Sequence, residues 1–104
     1  MAKVRLSARA AADLERIFEF IARTDPHAAL TVARQIREAV QILANHPLIG
    51  RRVETDYREL VISKGKSGYV ALYRWFEETD TILILAIKHQ LEAGYADDLW
   101  GGQG

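Results

Sequence analysis

The sequence predicts an α+β domain: a short strand, an antiparallel two-helix hairpin and then three antiparallel strands, in the order β-α-α-β-β-β. Three observations carry this expectation. Apolar residues recur with helical period through residues 8–45, and the texture becomes strand-like after Gly50. The length of 104 residues leaves room for one domain at roughly 100–200 residues each. A single domain over residues 1–100 is expected, with Gly101-Gly102-Gln103-Gly104 as a flexible tail.

Lys3 to Leu6 alternates briefly, and Ser7 follows in the position of a helix N-cap. From Ala8 to Arg23, the residues Leu14, Ile17, Phe18 and Ile21 fall at i, i+3, i+4 and i+7, one apolar stripe of a helix. Asp25-Pro26 restarts the pattern, because proline at the first helical position lacks only an amide hydrogen that the first turn leaves unpaired anyway. Ala29, Val32, Ala33, Ile36, Val40 and Leu43 form the second stripe, and Asn45-His46-Pro47 stops it. A connection this short folds the two helices into a hairpin. Tyr57–Ser63, Gly68–Phe76 and Thr81–Lys88 then read as strands. Lys64-Gly65-Lys66-Ser67 and Glu77-Glu78-Thr79-Asp80 are the turns between them. Residues 81–87 are apolar on both alternating faces, the pattern of a strand covered on both sides or flanked by partners.

Composition excludes several function classes. Apolar types make up 49% and charged types 27%, which rules out a disordered chain or a collagen-like rod, and the absence of cysteine removes thiol nucleophiles, CxxC redox chemistry and disulfide scaffolds. No signal-peptide pattern or membrane-length apolar run occurs, so a cytoplasmic protein without a membrane partner is expected. Fourteen basic and fourteen acidic residues cancel, but unevenly: residues 51–74 hold six basic against three acidic, and residues 75–104 hold one against six. Affinity built on paired phosphates needs a larger basic excess, so indiscriminate nucleic-acid binding is disfavoured, and no direct sequence-specific nucleic-acid binding is expected either.

His27, His46 and His89 lack metal-ligand spacing, and no metal or other cofactor is expected. Lys64 to Gly68 superficially resembles a phosphate loop, but it joins two strands and opens no helix, so it is read as a hairpin tip. The strand-borne set Arg58, Lys64, Lys66, Arg74, Lys88 and His89, with Tyr95 downstream, is the most chemically pointed constellation in the chain. Such residues grip phosphates, and His89 or Tyr95 is able to move protons; an ordinary solvated sheet face has the same composition. Phe20 lies roughly 110° and Ile42 roughly 140° off their helical stripes, so either is a candidate for contact with a partner.

The run from Asp13-Leu14 to Phe20-Ile21-Ala22, then Asp25-Pro26, Ala28-Ala29 and Asn45-His46-Pro47-Leu48-Ile49-Gly50-Arg51, resembles the amino-terminal half of ParE toxins in the RelE/ParE superfamily. Arg58-Glu59-Leu60-Val61, residues 68–74 and residues 82–90 are similar to that family's strand blocks, and the likeness spans about residues 3–95. The resemblance implies a toxin of a bacterial type II toxin–antitoxin pair of the plasmid-stabilisation type, neutralised by a DNA-binding antitoxin encoded alongside. ParE members inhibit DNA gyrase, whereas RelE members cleave messenger RNA on the ribosome with a basic and tyrosine set. Matched to that set, Arg58 stands where a lysine is usual, Tyr95 matches the tail tyrosine, His89 stands for an arginine, and Leu60 and Val70 replace basic residues. Two aliphatics where cations meet developing phosphate charge remove several powers of ten in rate.

The resemblance therefore implies a gyrase inhibitor that is not an enzyme. Its expected target contacts are Arg58, Arg74, Lys88, His89 and Tyr95, and its expected antitoxin contacts are Phe20 and Ile42. The alternatives are a ribosome-dependent endoribonuclease using Arg58, His89 and Tyr95, and a degenerate antitoxin-binding module. Leu91, Tyr95, Leu99 and Trp100 form either part of the target surface or a short amphipathic cap on the sheet.

Overall fold

The computed structural model describes residues 1–62 and 68–89. The order of elements is β1 (Lys3–Leu6), α1 (Ala8–Thr24), α2 (Pro26–Asn45), β2 (Arg51–Glu54), β3 (Tyr57–Val61), β4 (Tyr69–Phe76), a short 3-10 turn (Glu77–Thr79) and β5 (Thr81–His89). The α+β class and the order strand, helical hairpin, strands are as the sequence predicts. Its caps also lie where expected. Ser7 Oγ accepts from the Ala10 N–H, Asp25 Oδ1 accepts from the Ala28 N–H with Pro26 at the first position, and the His46 N–H closes α2 on the Ile42 and Leu43 carbonyls.

The five strands form one sheet in the order β1-β5-β4-β3-β2. β1 runs parallel to β5, and the other neighbours are antiparallel. β2 is an addition to the three carboxy-terminal strands that the sequence suggests. Its Arg51-Arg52-Val53-Glu54 has little alternation and becomes a strand only by pairing with β3, through a bulge between Arg52 and Glu54. The apolar run of β5 is flanked on both edges, by β1 and β4.

Both helices pack on one side of this sheet, α1 against β5 and α2 against β1. Between them lie Ala10, Ile17, Leu43, Tyr69, Ala71, Tyr73, Ile82, Ile84 and Ile87, with Leu14, Ile21, Val32, Val40 and Leu60 packed around that core. Removing this apolar surface from water, at roughly 25 cal/mol per Å², is the main force holding the hairpin to the sheet. No helix among the described residues is long and apolar enough to cross a membrane.

Candidate functional site

Strand register decides which of the expected site residues stand together. Cross-strand partners share a face, so Tyr69 with His89, Ala71 with Ile87, Tyr73 with Ile84 and Trp75 with Ile82 point to the helices. On β3, Arg58 pairs with Tyr73 and Leu60 with Ala71, which puts both on that same helical side. The second face receives Glu59 and Val61 from β3, Val70, Leu72 and Arg74 from β4, and Lys88 from β5. The expected contact set is thus divided: Arg58 and His89 on the helical side, Arg74 and Lys88 on the other. Tyr95, Lys64, Lys66 and the 91–104 segment lie outside the described residues, as does the 101–104 tail.

Arg58 is held by backbone. Its Nη1 donates to the Leu48 carbonyl at 3.1 Å and to the Gly50 carbonyl at 2.8 Å. Beside it, the Tyr73 hydroxyl donates to the Pro47 carbonyl at 2.7 Å and accepts from the Gly50 N–H at 2.9 Å. Burial pushes the Tyr73 phenol above its usual 10.0, against the opposing pull of the Gly50 N–H and the Arg58 charge. Gly50 is required here: a Cβ would stand 2.7 Å from the Tyr73 ring and 2.9 Å from the Glu59 carbonyl oxygen. This clasp fixes the loop after α2 so that Leu48 and Ile49 point outward, 56% and 52% exposed. With Met1, Ala44, Trp75 and Asp80 they line a groove of about 700 Å³. The sequence carries one signal for it, two large aliphatics directly after a helix-ending proline, where the proline by itself marks only a stop.

His89 stands edge-on to Tyr69, ring centroids 5.4 Å apart, and shares a hollow of about 300 Å³ with Arg16, Ile17 and Phe20. An expected target contact and an expected antitoxin contact therefore meet in one place. Phe20 is 69% exposed and Ile42 43%. One lies near the end of α1 and the other near the end of α2, so the hairpin keeps them apart.

On the second face, the Arg74 guanidinium lies 4.5 Å from the centre of the Phe76 ring and 3.9 Å from Asp56 Oδ2. Its β4 neighbour Val70 pairs with Lys88 four residues away, so the two cations are spaced about 13 Å apart along the strands at roughly 3.3 Å per residue. Between them come Leu72 and Glu59, the latter bound to Arg51 at 3.0 Å. Cations that far apart, with a carboxylate between, do not converge on one phosphodiester.

Residues 4–94 match the family model described as the ParE toxin of the type II toxin–antitoxin system parDE. The chain belongs to that ParE toxin family. It is 36% identical over 92 residues to Toxin RelE3 of Caulobacter vibrioides, covering 88% of this chain and 98% of the relative. It is 33% identical to Toxin RelE1 of the same organism, over 86% and 94% of the two chains. Among solved structures, the chromosomal ParDE system from P. aeruginosa contains a similar chain, with a TM-score of 0.68 and 27% identity over 86% of this chain and 96% of the other. The isolated E. coli RelE toxin shares the fold at a TM-score of 0.61 and 16% identity, over 94% and 90% of the chains. The ParE family thus supplies the coarse role, a toxin of a type II toxin–antitoxin system.

Proposed function

We propose that this ParE-family toxin inhibits DNA gyrase by protein–protein contact and is neutralised by a cognate antitoxin. The observation that carries the reading is the second face of the sheet, where Arg74 and Lys88 stand apart with Glu59 between them and Val61 is exposed on β3, while Val70 and Leu72 are buried. Charges of both signs set apart on one face suit docking in one orientation on a protein surface. In-line attack on RNA instead needs preorganised cations at the developing charge. Arg58, engaged with two carbonyls, acts in this reading by holding the loop that presents Leu48 and Ile49. Arg74, Lys88 and His89, with Tyr95, remain the target contacts.

An antitoxin partner is supported by the similar P. aeruginosa chain, which comes from a ParDE toxin–antitoxin system. Phe20 is its proposed anchor in the hollow beside His89, and Ile42 a second contact. The RelE names of the two Caulobacter relatives favour a second reading, ribosome-dependent RNA cleavage.

The test adds the purified chain to gyrase and, in parallel, to translating ribosomes. Blocked supercoiling with uncut messenger RNA supports the proposal. Codon-spaced cuts that vanish on His89→Ala replace it with the second reading. If neither target responds to a folded chain that still binds its antitoxin, the degenerate-module reading stands.

A further inference from the structure

Polar groups of α1 and its cap converge on one point of β5. Leu72 pairs with Ala86 and Tyr73 with Ile84, so Leu85 is an extra residue opposite no partner. A bulge of this kind bends a strand and interrupts its ladder, and β1 ends its pairing opposite Ile84, so the backbone groups of β5 along that edge need other partners. α1 and its cap supply them. The Ser7 hydroxyl donates to the Leu85 carbonyl at 3.0 Å, and the Ser7 N–H donates to the Ile84 carbonyl at 2.9 Å. Two residues on, the Ile87 N–H donates to Asp13 Oδ2 at 2.9 Å. Asp13 is only 5% exposed, and its other oxygen accepts from Arg9 Nε at 3.3 Å and Arg16 Nη2 at 3.4 Å.

The bulge reverses the strand's alternation. Before it, Ile82 and Ile84 face the helices; after it, Ile87 and His89 do. An unbroken strand alternates with period two, so Ala86 and Lys88 would turn to the helical side and His89 to the second face. That arrangement would drive the Lys88 ammonium toward an apolar core, where a charge is costly.

We propose that Asp13 is a positioning residue for the target-binding surface. Through the Ile87 N–H, its carboxylate holds the bulge at Leu85, and the bulge assigns Lys88 to the second face and His89 to the hollow beside Tyr69 and Phe20. The functional part rests on the reading that Lys88 and His89 meet the target; the geometric part stands apart from it. Asp13 itself touches no target, and it acts from α1 on a strand 74 residues away in sequence.

Solution NMR on the full chain separates the two parts. In the wild type, a coupling across the hydrogen bond from the Ile87 nitrogen to the Asp13 carboxyl carbon is expected, together with cross-peaks between the His89 and Tyr69 rings. Asp13→Asn keeps an oxygen acceptor and is expected to retain those ring cross-peaks. In Asp13→Ala the cross-peaks are expected to vanish, and amide exchange at residues 87–89 to speed up by about tenfold or more relative to Leu43. Its gyrase inhibition is expected to fall by about tenfold as well. Ring cross-peaks and exchange unchanged in Asp13→Ala overturn the proposal. If that variant does not fold, absence of the wild-type coupling overturns it. A variant whose ring cross-peaks vanish while gyrase inhibition stays intact upholds the clasp and overturns Lys88 and His89 as the residues that meet the target.

Discussion

The two faces of the sheet use the same kinds of residue for opposite ends. On the helical side, Arg58, Tyr73 and Asp13 turn their polar atoms onto backbone groups and lock loops and strands in place. On the second face, Arg74 and Glu59 engage the exposed side chains of Asp56 and Arg51. An arginine on β3 and an arginine on β4 look equivalent in the sequence, yet one closes a loop and the other is presented outward. The difference comes from register, because a one-residue change of alternation moves a side chain to the other side of the sheet.

The largest effect is expected in the core of both faces. Ile84 on the helical side and Leu72 on the second are both almost fully buried. Each, changed to alanine, is expected to lose about 2–5 kcal/mol. Thermal melts check this at roughly 4–8 °C per kcal/mol for a domain of this size. A small loss at Leu72 alone would show that the second face is not packed like the first.

Arg58→Ala comes next, at about 1.5–3 kcal/mol for a charged donor removed from two carbonyls, measured by urea unfolding. Tyr73→Phe follows at about 1–2 kcal/mol, because the Gly50 N–H and the Pro47 carbonyl each lose their partner. Its pH dependence is more telling than its size. Burial favours the neutral phenol in the folded chain. The resulting stability is fully present below the ordinary value near 10.0 and is lost as pH rises through the raised one. That alkaline loss, followed by pH-dependent melts, is expected in the wild type and reduced in Tyr73→Phe.

Arg74→Ala has the smallest expected effect on stability, under about 1 kcal/mol for a solvent-accessible ion pair and a half-buried ring contact. Its expected effect is on inhibition. A variant with a wild-type melt and weakened gyrase inhibition sharpens the contrast with Arg58, and the reverse pattern breaks it.

The helical half was legible because local chemistry sets it. Ser7, Asp25-Pro26 and Asn45-His46-Pro47 mark the helix ends, and Phe20, off its stripe, is exposed. The sheet was legible in order but not in facing. Residues 82–87 are apolar at every position, so nothing in their pattern marks Leu85 as the extra residue, and the sides taken by Lys88 and His89 follow from hydrogen bonds to Ser7 and Asp13 far away in sequence. β2 was hidden for a related reason: its charged residues pair as a strand only because β3 offers an edge.

The most direct measurement of the central claim is gyrase supercoiling titrated with the wild-type chain, Arg74→Ala and Lys88→Ala, each first shown to melt cooperatively near the wild-type temperature. Inhibition by the wild type and weaker inhibition by both variants are expected. Undiminished supercoiling in the presence of the folded wild-type chain would contradict that claim.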